Sequence, residues 1–162
     1  MKTLLTSTLL ASALYISPAN TPETFLERQP VKEVVLEKVE VQPIETLVGA
    51  LVYVESRGKS DAVGDTHLGE PSIGVLQIRP IMVKEVNRIL KLKGVDYRYD
   101  LSDRKDSLKS VEMFLIWKEF HHKDSDFEKI ARNWNGGPVG YKNSRTHSYW
   151  VKVKQQIDER QS

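Results

Sequence analysis

The five residues Met113-Phe114-Leu115-Ile116-Trp117 constrain the fold more than any other stretch. They lie in a helical pattern that runs to about His121, and five consecutive apolar residues on a helix face every direction. Such a helix is stable in water only when other elements surround it, so the rest of the chain must supply them. Pro43 suits the entry to a helix, and Ile44, Leu47, Val48, Leu51 and Val54 follow at spacings of three and four. Pro80 opens a second helix with Met82, Val83, Val86, Ile89 and Leu90 on one side and Gly94 at its end. Ser102 or Asp103 is placed to cap the central helix, with Asp106 completing a capping-box-like pattern after Asp103. Ser125 or Asp126 opens a shorter helix through Phe127, Ile130 and Ala131, closed by the breaker cluster Asn133 to Pro138. Thr146, Tyr149, Trp150, Val153 and Ile157 mark a last helix. Ile73 to Ile78 is short and β-like, and Gly74 allows a close backbone approach there. The expected fold class is α-rich, α+β, with about five helices and one small β-element.

The ends of the 162-residue chain read differently. Lys2, a mostly apolar run from Leu4 to Ile16, and Ser17-Pro18-Ala19 have the order of an export signal, expected over residues 1–19. A membrane anchor is the competing reading, but the run falls short of the roughly 20 residues a span needs and is broken by Thr6, Ser7, Thr8 and Ser12. Residues 20–43, punctuated by Pro22, Pro30 and Pro43 and rich in Glu, Lys and Val, read as a linker, which leaves 44–160 for the folded domain. These features place the protein outside the cytoplasm, without stable membrane insertion once the signal is removed. A formal charge of +2 gives no support for nucleic-acid binding. The absence of cysteine excludes disulfides and thiolate chemistry. His67, His121, His122 and His147 show no metal-ligand spacing, so neither a metal nor a cofactor is expected.

Glu55 stands out on the first helix. It follows Leu51 by four residues and Val48 by seven, so it falls inside the apolar stripe. A carboxyl in such surroundings has a raised pKa, because desolvation disfavours the anion, and a neutral acid can protonate a glycosidic oxygen. A structural Glu, paired with Arg57 or Lys59, is the plainer possibility. The loop after it holds Asp61, Asp65 and Glu70, any of which could supply a second acid or simply shape turns. Asp65, beside Gly64, is the first choice and Asp61 the next. Glu112 on the central helix is a further carboxylate to weigh.

Asn133-Trp134-Asn135-Gly136-Gly137 combines amide groups, a flat aromatic face and glycines that admit a ligand closely. Taken in order, Glu55-Ser56, then Ser72-Ile73-Gly74-Val75-Leu76-Gln77-Ile78, then Ala131 to Gly137, then Tyr149-Trp150-Val151-Lys152-Val153 resemble the soluble lytic transglycosylase family, which is similar to goose-type lysozymes. The resemblance spans about residues 44 to 158. It departs at Trp134, where the family has Tyr, and at Arg145, where an acidic residue is frequent.

The resemblance implies a lysozyme-like fold acting, as a monomer, on peptidoglycan glycan strands. It implies Glu55 as the single catalytic acid and then base, with Ser56, Gln77, Trp134, Asn135 and Tyr149 around the substrate. The implied product carries a 1,6-anhydromuramic end, formed without water. Two alternatives stand beside it. One is a hydrolytic muramidase with Asp65 or Asp61 as second carboxylate. The other is a wall-binding module that does not cleave.

Overall fold

The computed structural model describes residues 43–161, so the expected signal over 1–19 and all of the expected linker except Pro43 lie outside the described residues. The chain forms α1 (Ile44–Ser56), β1 (Val63–Gly64), β2 (Ser72–Ile73), α2 (Pro80–Leu92), α3 (Ser107–His121), α4 (Phe127–Gly136) and α5 (His147–Gln161). Short 3-10 turns at Leu101–Lys105, Gly140–Lys142 and Ser144–Thr146 join the later helices. The fold is α-rich with one small antiparallel sheet, as the periodicity required.

The apolar helix α3 is covered over most of its apolar run, though not on every side. Met113 and Phe114 are fully buried and Trp117 nearly so. They share one core with Leu47, Ala50 and Leu51 of α1, Val83, Val86 and Leu90 of α2, Ile130 and Ala131 of α4, and Val153 and Ile157 of α5. Each buried Val, Leu, Ile, Phe or Met among them contributes about 1.5–3 kcal/mol, so this shared core dominates the stabilisation. Leu115 is the member of the run that turns outward, at 36% exposure.

Two helix boundaries differ from the expected ones. The segment from Asp100 closes its own capping box with Asp103 around the first 3-10 turn, and α3 begins only at Ser107. Asp106 is its cap, accepting hydrogen bonds from the Leu108 and Lys109 amides at 2.9 and 3.1 Å. Extended backbone at Asp106 interrupts what sequence pattern alone joins into one helix. Conversely, α4 runs through Asn133, Trp134, Asn135 and Gly136 rather than ending before them, and stops where Gly137 takes φ +75°. Intrinsic helix propensity is weak compared with packing, and Trp134 packs on the core here.

The β-element is a hairpin rather than a single run. Val63 pairs with Ile73 and Gly64 with Ser72. The chain then folds back so that Ile73 and Ile78 exchange backbone hydrogen bonds at 3.1 and 2.9 Å. Gly74 sits in that turn at φ +85°, and a Cβ there would collide with the Arg104 carbonyl oxygen. The Arg104 side chain is buried and donates to Leu101 O at 2.8 Å, Pro71 O at 3.1 Å and Ile78 O at 3.2 Å. It thereby clamps both ends of the 71–78 turn with a single guanidinium.

Candidate active site

Glu55 lies in the last turn of α1. Arg57 and Gly58 then take left-handed backbone, at φ 55° and 79°, and return their amides to Tyr53 O and Val52 O. This C-terminal cap stops the helix immediately beyond the carboxyl. The Ser56 hydroxyl lies 2.9 Å from Val75 O and 3.2 Å from Val52 O. It therefore ties the helix end to the turn that follows β2.

The carboxyl of Glu55 is only partly exposed, and desolvation pushes its pKa up to about 7. Two smaller influences act in opposite directions. Tyr149 donates its hydroxyl to Glu55 Oε1 at 2.7 Å, which favours the carboxylate and lowers the value. The negative charge of Asp65 raises it again. Burial and the adjoining Glu55 carboxyl in turn raise the Tyr149 phenol well above its usual range, so Tyr149 remains a hydrogen-bond donor. Glu55 is therefore an acid whose pKa burial raises toward neutrality and which retains some access to solvent, a combination suited to donating a proton.

The loop acids separate. Asp65 follows β1 directly, is exposed, and takes φ 52°, a backbone conformation Asp tolerates better than most residues. It is the carboxylate whose charge acts on Glu55. Asp61 lies exposed in the turn before β1, and Glu112 accepts a hydrogen bond from Tyr99 at 3.0 Å.

The other residues singled out by sequence take different places. Gln77 sits at φ 48°, and its side-chain amide donates to Ala62 O at 3.2 Å and Gly74 O at 3.0 Å. Its Oε1 accepts from Ser72 at 2.8 Å. Both polar ends are engaged inside the hairpin, directly over Gly64, where a Cβ would strike Gln77 Oε1. Gln77 thus shapes the strand that presents Asp65. The Trp134 ring packs edge-on between Phe114 and Trp117, with centroids 5.1 and 5.2 Å away. Asn135 is exposed at the end of α4, while Asn133 is buried and accepts the Tyr141 amide at 2.7 Å.

Sequence reasoning did not single out Arg104 or Asn133 for these anchoring roles. Their partners lie in other segments, and neither spacing nor periodicity signals them. An open groove along α5, lined by Trp150, Lys154 and Asp158 among others, includes none of Glu55, Asp65 and Tyr149. The site is marked by its chemistry rather than by that groove. Among the described residues, no three His, Asp or Glu side chains cluster so as to hold a metal ion, and no helix is long and apolar enough to cross a membrane.

No protein-family model matches the chain, and no curated protein matches it. Its fold is similar to that of a chain in the crystal structure of Aeromonas hydrophila PliI in complex with Meretrix lusoria lysozyme. The TM-score is 0.56 at 20% identity, over 68% of this chain and 88% of that one. At that identity the likeness concerns the fold alone.

Proposed function

We propose that this chain cleaves the glycan strands of peptidoglycan, with Glu55 as the proton donor to the oxygen linking N-acetylmuramic acid to N-acetylglucosamine. The observation that carries the proposal is the Glu55 carboxyl, pushed up to about 7 by desolvation while Tyr149 holds its orientation. A carboxyl in that range supplies a proton at neutral pH and accepts one back afterwards.

Proton transfer from Glu55 to the bridging oxygen accompanies cleavage of the bond to the muramic anomeric carbon. The departing N-acetylglucosamine leaves with that proton as its hydroxyl. What attacks the anomeric carbon next divides two routes. In hydrolysis a carboxylate assists water, and Asp65, whose charge acts on Glu55, is the candidate for it. We take this route as the first reading, because Asp65 offers the second carboxylate that it needs. In the lytic route the muramic 6-hydroxyl attacks, and Glu55 takes up its proton. The order of the Glu55-Ser56, Gly74 to Gln77, Asn133 to Gly137 and Tyr149 motifs favours that second reading.

Mass spectrometry of the products from purified peptidoglycan tests both. Muropeptides with reducing ends indicate hydrolysis. Anhydro ends, lighter by one water, indicate the lytic route. Intact glycan after prolonged incubation overturns the proposal. The substrate lies outside the cytoplasm, which agrees with the signal-like residues 1–19.

A further inference from the structure

Tyr141 is exposed to 41% on the segment that connects α4 to α5, yet it is not free to move. Its amide donates to the buried Asn133 Oδ1 at 2.7 Å. The Arg132 guanidinium lies over its ring at 4.8 Å from the centroid. Arg132 is itself held on three sides, by Glu128 Oε1 at 2.7 Å, Thr146 Oγ1 at 3.0 Å and Asn143 O at 3.2 Å. Gly140, just before Tyr141, lacks the Cβ that would strike the Arg132 carbonyl, so the backbone closes tightly under the ring. The result is an aromatic ring with its backbone pinned and a cation on one face, while much of it remains in contact with water.

Holding a surface tyrosine ring in place costs side-chain entropy already in the free protein. Flat aromatic faces offer apolar contact to the C–H faces of sugar rings, and a ring already fixed loses little freedom on binding. Tyr141 and Tyr149 are eight positions apart, joined through two 3-10 turns and the start of α5, and at about 2 Å rise per residue that spans roughly 16 Å. Tyr149 touches Glu55, so Tyr141 follows in chain length within about the span of a short oligosaccharide from the partner of the acid.

We infer that Tyr141, braced by Arg132, is a stacking platform for a sugar ring of the glycan strand, away from the bond that is cleaved. The inference rests on the glycan substrate proposed above, and binding tests it apart from cleavage. In the full chain carrying Glu55→Gln, affinity for a chitin-type N-acetylglucosamine tetrasaccharide is measured by titration calorimetry. Tyr141→Ala weakens binding roughly tenfold, Tyr141→Phe leaves it within about twofold, and Val139→Ala, at a more exposed position two residues away, leaves it unchanged. Binding of the Tyr141→Ala chain within twofold of its parent overturns the inference, as does a parent that binds no oligosaccharide. If Tyr141→Ala fails to fold, the Tyr141 ring resonances of the Glu55→Gln chain decide. Shifts on titration support the platform, and unshifted resonances in a saturated complex overturn it. Loss of binding in Tyr141→Ala together with intact peptidoglycan after incubation with wild type sinks the cleavage proposal but not this one. Cleavage by wild type with unaltered binding in Tyr141→Ala does the reverse.

Discussion

The Tyr149 hydroxyl donates to Glu55 Oε1 at 2.7 Å, joining the first turn of α5 to the last turn of α1 across 94 residues. The two helices pack directly on one another, and this hydrogen bond lies at the end of that contact. It is the one influence on Glu55 that stabilises the carboxylate against burial and against the charge of Asp65.

Removing it has a defined sign. Tyr149→Phe leaves the desolvation in place and takes away the group that lowers the Glu55 pKa, so the pKa rises further above about 7. The alkaline limb of the pH–rate profile, where the protonated acid is lost, moves to higher pH. Turnover falls as well, because the carboxyl loses its orientation. An unmoved alkaline limb refutes this role for Tyr149.

Asp65→Asn acts in the opposite direction. Its charge raises the Glu55 pKa, so neutralising it shifts the alkaline limb to lower pH. On the hydrolytic route the rate also drops by about 10²-fold or more, the scale of losing a general base. If anhydro products continue at near wild-type rate, Asp65 is not the second carboxylate and the lytic route is the right one.

Glu55→Gln abolishes cleavage, by about 10²- to 10⁴-fold at least, and changes stability in a pH-dependent way. The folded pKa of about 7 lies above the unfolded carboxylate value. Between the two values the folded state holds a proton the unfolded state has released, so wild type loses stability as pH rises through that window. The loss reaches up to about 3 kcal/mol above pH 7. Glu55→Gln escapes it, so urea unfolding at pH 8 finds the variant more stable relative to wild type than unfolding at pH 4 does. Equal differences at both pH values contradict the desolvated acid.

The 71–78 turn supplies a prediction about the scaffold. Gly74→Ala places a Cβ on the Arg104 carbonyl at a left-handed φ, where glycine alone is comfortable. Arg104→Met removes the donors to three carbonyl groups in the turn region. Each costs about 2–4 kcal/mol, measured by chemical denaturation. Both also disturb the hairpin presenting Asp65, so activity falls further than the folded fraction does. A Gly74→Ala chain as stable as wild type contradicts the close approach.

Much of the fold was legible from spacing because helix formation is local. The stripe Leu47, Val48, Leu51 also carried Glu55, and the i+4 relation placed its carboxyl among apolar side chains before any contact was known. The boundary at Asp106 was not legible, because Ser102, Asp103 and Asp106 all make plausible caps and only the backbone selects among them. The Asn133 to Gly137 cluster read as a loop, since its residues are poor helix formers. Packing of Trp134 between Phe114 and Trp117 outweighed that preference.

By itself the sequence determined that this chain builds several helices around an apolar one, and that an acid stands in the stripe of the first. Those follow from periodicities of a few residues. Tertiary structure alone decided that Tyr149, rather than Arg57 or Lys59, partners Glu55, and that Asp65, rather than Asp61, acts on it. It also decided that Gln77 spends its amide within the hairpin. Desolvation and long-range hydrogen bonds depend on which distant segments meet, and that is settled when the core closes.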